Sequence, residues 1–209
     1  MVKVLAQRIA ISMGARLQAD RDRVEVFAYG LEIILGALVQ LILIIWLSLI
    51  MNTFITTTLC LIAFASLRFF GGGAHASTYC GCSMVSVPLI LALGKLATID
   101  TSHALLMVFS TLTFLTGIFI IFRWAPAGTE KKQVKDEKTR QRQRKKAILI
   151  LMLWFAATCL LVTQQFNTGA LAVVLGTGGS LLLITPWGYR AIKALDNIQN
   201  MISRGWKSC

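Results

Sequence analysis

Long uninterrupted runs of apolar residues dominate this chain. From Ile33 to Leu67 no charged residue occurs over 35 positions, more than one bilayer crossing of about 20 residues can use. Asn52 lies near the middle of that run and suits a turn, which divides it into spans at about residues 29–51 and 53–69. A short third run covers 83–97, with Pro88 inside it and Lys95 near its end. The fourth covers 101–122, the fifth 147–164 and the sixth 169–187. The pattern predicts an all-α fold: a polytopic integral membrane protein with six transmembrane helices, one membrane domain over residues 1–209 and a basic cytoplasmic loop at 123–146. Ahead of the spans, Val2, Leu5, Ile9, Met13 and Leu17 recur at helical spacing with Arg8 and Arg16 between them. That segment is expected to be an interfacial amphipathic helix.

Composition agrees with this reading and removes its competitors. Of 209 residues 56% are hydrophobic and 14% charged, and mean hydropathy is +0.70. A soluble domain carries nearer about 25% charged residues. The five cysteines are odd in number and scattered, so no disulfide framework is expected. The first apolar stretch, broken by Lys3, Arg8 and Arg16, does not read as a cleavable signal peptide.

Charge placement tests the span map independently. The N-terminal segment holds Lys3, Arg8, Arg16, Arg21 and Arg23, and residues 123–146 hold ten Lys or Arg against Glu130, Asp136 and Glu137. The tail holds Arg190, Lys193, Arg204 and Lys207, whereas the turns at Asn52 and at 165–168 are uncharged. Basic and neutral connections alternate as six spans require, placing both termini in the cytoplasm of a multi-pass cell-membrane protein. The net charge of +12 is therefore read as a topology signal and a contact with an anionic inner leaflet, above all over Lys138–Lys146. No aromatic-interleaved basic platform accompanies it, so no nucleic-acid partner is expected.

One stretch reads neither as a span nor as a simple turn: residues 68–82, which run Arg-Phe-Phe-Gly-Gly-Gly-Ala-His-Ala-Ser-Thr-Tyr-Cys-Gly-Cys. Three successive glycines weaken a helix and permit close backbone approach. His75, Cys80 and Cys82 follow at the cytoplasmic side, where a thiol stays reduced. A His near a Cys suggests nucleophilic catalysis, with imidazole taking the thiol proton and the thiolate attacking a carbonyl. On one helix His75 and Cys82 lie about 700° apart, nearly the same face, but also about 10.5 Å along the axis, beyond hydrogen-bond reach. Either the glycines bend the segment or helix packing brings the two groups together. A zinc site from His75, Cys80 and Cys82 lacks a fourth ligand and a familiar spacing, so no metal or cofactor is expected. A Gly-rich broken helix lining a transport path is the non-enzymatic rival. Glu32 and Arg68 bound the first two antiparallel spans near the same membrane face. They are expected to pair, as a structural pin or to hold a substrate backbone or oxyanion.

Arg68, Gly72-Gly73-Ala74-His75 and Cys82, together with Ala125-Pro126-Ala127 after the fourth span, resemble the accessory gene regulator protein B (AgrB) family of Gram-positive quorum sensing. The likeness covers nearly the whole chain. It implies a membrane cysteine endopeptidase that removes the C-terminal tail of a precursor peptide near the cytoplasmic face. It further implies Cys82 as nucleophile, His75 as its base and later acid, and Arg68, Gly73 and Glu32 in supporting or substrate-binding roles. The acyl-enzyme would be attacked by a Cys or Ser of the peptide, closing a thiolactone or lactone. The implied partners are an AgrD-like precursor with an amphipathic N-terminal segment and the bilayer itself. A homodimer would help shield a site that six short helices cover poorly. The alternative is a non-catalytic membrane transporter or exporter of a signalling peptide, or a scaffold that binds precursor without cutting it.

Overall fold

A computed structural model describes residues 2–74, 79–127 and 137–207. The chain is helical in the order α1 (Val2–Leu17), α2 (Arg21–Ile50), α3 (Phe54–Gly71), α4 (Tyr79–Leu96), α5 (His103–Trp124), α6 (Glu137–Thr163), α7 (Asn167–Ile184) and α8 (Pro186–Lys207). Five of these, α2, α3, α5, α6 and α7, are long and apolar enough to cross a membrane. The expected third span, α4, is apolar over Gly81–Leu96 of its described residues. It ends at Leu96, before a turn that carries Thr98 and Asp100.

Two units divide the chain, residues 1–46 and 47–209. In the first, Ala6, Ala10 and Gly14 form a buried small-residue stripe on α1, and Val24 of α2 packs where Gly14 lacks a side chain. Val4, Leu5, Ile11, Met13 and Leu17 remain exposed. α2 begins at Arg21, ahead of the expected start at 29, so Glu32 lies well inside the helix rather than near its first turn.

The second unit is built around α7, which packs against α3, α4, α5, α6 and α8. α7 is apolar or small on every face, the mark of a helix surrounded by others. Its interior contacts use small and hydroxyl-bearing residues: Ala170, Ala172, Gly176, Thr177 and Ser180 are buried, as are Ala63 of α3, Ser110 of α5 and Thr158 of α6. Meanwhile Leu112, Leu115, Phe119, Leu149, Leu153 and Leu160 face outward. Small residues inside and large apolar ones outside suit lipid, where close packing rather than water drives association. Gly176 lets α7 meet the α3 backbone at the Cys60 carbonyl, whereas Gly178 has open space beside it. Gly176→Ala should therefore cost about 1–3 kcal/mol by overpacking and lower the thermal unfolding temperature in detergent. Gly178→Ala, the same change without the contact, should leave it level or raise it.

Turn chemistry fixes the connections. Asn52, as expected, makes the α2–α3 turn, with φ of 54° and the Thr53 amide bonded to the Ser48 carbonyl at 2.9 Å. Asn tolerates this left-handed geometry better than most residues. The sixth apolar run does not continue to Trp187: the helix ends at Ile184 and Pro186 starts α8. Proline disfavours helix in the residue before it and suits the first position of the next helix.

Candidate functional site

The glycine segment is where α3 stops. Gly72 (φ 72°) and Gly73 (φ 128°) leave helical geometry and end α3. Gly81 lies inside regular α4. Three backbone bonds hold the break in place. The Ala127 amide donates to the Gly71 carbonyl at 2.9 Å, the Gly73 amide to the Ala127 carbonyl at 3.0 Å, and the Ala74 amide to the Leu183 carbonyl at 3.0 Å. Gly72 and Ala127 thus form a single parallel bridge between the end of α3 and the Ala125–Ala127 segment after α5. At Gly72 a side chain would run into the Ala127 carbonyl.

Arg68, on the last turn of α3, closes back over this loop. Its Nη2 donates to the Ala74 carbonyl, its guanidinium carbon stands 5.9 Å from the centre of the Phe64 ring, and its Nη1 is buried with no hydrogen-bond partner among the described residues. A buried guanidinium N–H without a partner is costly. Cys82, on the first turns of α4, is partly buried and interacts electrostatically with Arg68. Its Sγ lies 3.7 Å from Oγ of Ser86, one turn on. The Ser83 hydroxyl beside it is buried without a partner among the described residues.

Tyr189 of α8 completes the electrostatic group around Arg68. α8 packs against α7 and touches α4, and Gly188 lies against the Leu182–Leu183 backbone. Burial pushes the Tyr189 phenol above its ordinary value, and the Arg68 charge opposes this only in part. The fold therefore favours the neutral phenol, a hydrogen-bond donor throughout the neutral range. That preference is present below about pH 10 and is lost as pH rises through the folded value. A difference titration at 295 nm should show a tyrosine ionising above the usual range in the wild type, and Tyr189→Phe should remove that component.

Arg68, Gly73 and Cys82 are thus gathered around one loop. His75 lies outside the described residues, as does the Cys80 side chain. Glu32 sits partly buried on α2 in the first unit. Ser86 and Tyr189 were not expected, nor was the bonding of Ala127, a member of the Ala-Pro-Ala segment noted above, to the glycine loop. A serine one helical turn beyond a candidate cysteine is a usable signal, whereas Tyr189, after Pro-Trp-Gly at a helix start, carries none.

A multi-pass helical membrane protein with a cysteine and a half-buried arginine at a glycine-broken helix end is the class these features define. The chain belongs to the accessory gene regulator B family, whose sequence profile matches residues 6–185, a family of the accessory gene regulator quorum-sensing system. It is 24% identical over 213 residues to AgrB-like protein 2 of Clostridium perfringens strain 13, covering 97% of this chain and all of that protein. It is 24% identical over 196 residues to an AgrB-like protein of Halalkalibacterium halodurans, covering 92% and 93%. Accessory gene regulator protein B of Staphylococcus aureus strain MRSA252 is 29% identical over 129 residues, 62% of this chain and 67% of that one. No solved structure matches.

Proposed function

We propose that this protein is a membrane cysteine endopeptidase that removes the C-terminal tail of a quorum-sensing precursor peptide through a Cys82 acyl-enzyme and promotes thiolactone or lactone closure. The observation that carries the proposal is the grouping of a partly exposed Cys82 thiol with the Ser86 hydroxyl and a half-buried Arg68 whose buried Nη1 has no partner among the described residues. His75 takes the thiol proton, Sγ attacks the peptide carbonyl, the C–N bond breaks, and the same proton passes to the leaving amine. Arg68 Nη1 supports the developing oxyanion. A Cys or Ser of the bound peptide then attacks the thioester and expels the Cys82 thiolate. The last step competes with hydrolysis, so the loop must keep water away. Gly73 supports the loop, and Glu32 keeps the supporting role that the resemblance implies.

In the same reading α4 crosses as the third of six spans, both termini are cytoplasmic, and the site lies near the cytoplasmic face. α1 lies on the inner surface, where an amphipathic precursor would also concentrate. The test uses purified protein in liposomes with the precursor peptide encoded nearest its gene. Intact-protein mass spectrometry should show release of the tail and a transient adduct equal to the remaining peptide, mapped to Cys82. Tail release without that adduct would move the chemistry elsewhere, and no release by folded protein would favour transport or scaffolding.

A further inference from the structure

Arg144 belongs to no motif used above. It lies on α6 at the end of the basic run, yet unlike its exposed neighbours Arg142 and Lys145 it turns inward. Its Nε and Nη2 donate to the Ala125 carbonyl at 3.2 and 3.1 Å. Ala125 is the C-cap of α5 and is 0% exposed. A carbonyl at a helix end has no donor within its own helix, and this one receives two from a cation, which also complements the negative end of the α5 dipole.

From that anchor the contacts run without a gap to the candidate site. Two residues beyond Ala125, Ala127 holds the carbonyl of Gly71 and the amide of Gly73. Ala74, the next residue, supplies the carbonyl on which Arg68 rests, and Arg68 interacts with Cys82. Neither Gly72 nor Gly73 has a side chain to fix its own position. The loop is set by the strap at Ala125–Ala127 and by the Leu183 carbonyl.

We propose that Arg144 is a positioning residue for peptide cleavage: by clamping Ala125 it fixes the Ala125–Ala127 strap, and through it the Gly71–Ala74 backbone that seats Arg68. The proposal rests on the peptidase reading for its activity and on the strap geometry for its structural effect. A lysine cannot replace the fork, because an ammonium is a single point donor where the guanidinium presents two aligned N–H groups.

Arg144→Gln, Arg144→Lys and Arg142→Gln would be compared with wild type in liposomes, by tail-release kinetics and by hydrogen exchange of peptides covering 71–74 and 125–127. Arg144→Gln should lower kcat by about tenfold with KM within about twofold, since a misplaced loop harms the chemistry more than the binding. Exchange at both segments should rise, and Arg144→Lys should fall between it and wild type on both readouts. Arg142→Gln, which removes the same charge from an exposed site on the same helix, should match wild type. Wild-type exchange in Arg144→Gln, or raised exchange with unchanged kcat, overturns the proposal. Should Arg144→Gln fail to fold, wild-type values for Arg144→Lys on both readouts overturn it equally. If wild type itself cleaves nothing, the peptidase reading fails, and the exchange comparison alone decides whether Arg144 sets the loop.

Discussion

Replacing Cys82 by serine should reduce tail release by at least about 10³-fold while leaving helix content and thermal unfolding near wild type. The exchange of sulfur for oxygen is small and the position is only partly buried. The structural effect is therefore slight and the chemical one large, because a serine hydroxyl attacks a carbonyl well only with a base arranged for it. Cys60 and Cys159 supply the comparison. Cys60 is 0% exposed, facing the α3–α7 contact, and Cys159 lies on α6 away from the glycine loop. Cys60→Ala and Cys159→Ala should keep tail release within about twofold, since neither thiol touches the loop. Mass-spectrometric tail release, with circular dichroism on the same samples, separates the effects. A Cys82→Ser protein that still cleaves at a tenth of the wild-type rate would remove Cys82 as nucleophile. Loss in the Cys60 or Cys159 variant with the fold intact would point to a different thiol.

Much of this fold is legible in the sequence because the bilayer imposes one strong rule, that a crossing segment be apolar and about 20 residues long. Each of the six runs lies largely within one helix, and Asn52 marks its turn because an uncharged polar residue that accepts positive φ is rare amid such a run. Pro186 was the signal that the sixth run ends early, and the apolar Ile184 and Trp187 close on either side obscured it. The loop was legible in kind but not in shape. Three glycines announce a break, but nothing in their order says that Ala127, far along the chain, will bond to Gly71 and Gly73, or that Leu183 will hold Ala74. Those partners meet because α3, α5 and α7 end together, a property of packing rather than of local pattern. Arg144 was hidden for a related reason. In a run of ten cations spread over residues 123–146, no periodicity distinguishes Arg144, whose side chain turns toward a buried carbonyl, from exposed neighbours such as Arg142 and Lys145.

Gly73→Ala should lower tail release by about 10²-fold and the unfolding temperature with it. Its φ of 128° is one that residues with a Cβ rarely adopt, a conformation that costs about 1–3 kcal/mol in a non-glycine residue. Space is as restrictive as torsion. The added carbon would stand 2.9 Å from the Leu183 carbonyl oxygen and 2.6 Å from Arg68 Nη1. Leu183 is backbone and already bonds Ala74, so the guanidinium or the loop must yield, and either movement withdraws Nη1 from the place it is proposed to serve. Gly71→Ala is the matched control. Gly71 is helical, and its added carbon meets only the end of the Ile184 side chain, 2.7 Å away, which can rotate. That variant should keep most activity. Thermal unfolding and tail release measured on both proteins distinguish two roles for the glycine. If Gly73→Ala is less stable but its folded fraction cleaves at the wild-type rate, the loop serves only the fold. If turnover falls well beyond the loss of folded protein, the position of Arg68 over Ala74 is part of the chemistry, and a glycine is required at 73 because the arginine occupies the space a side chain would take.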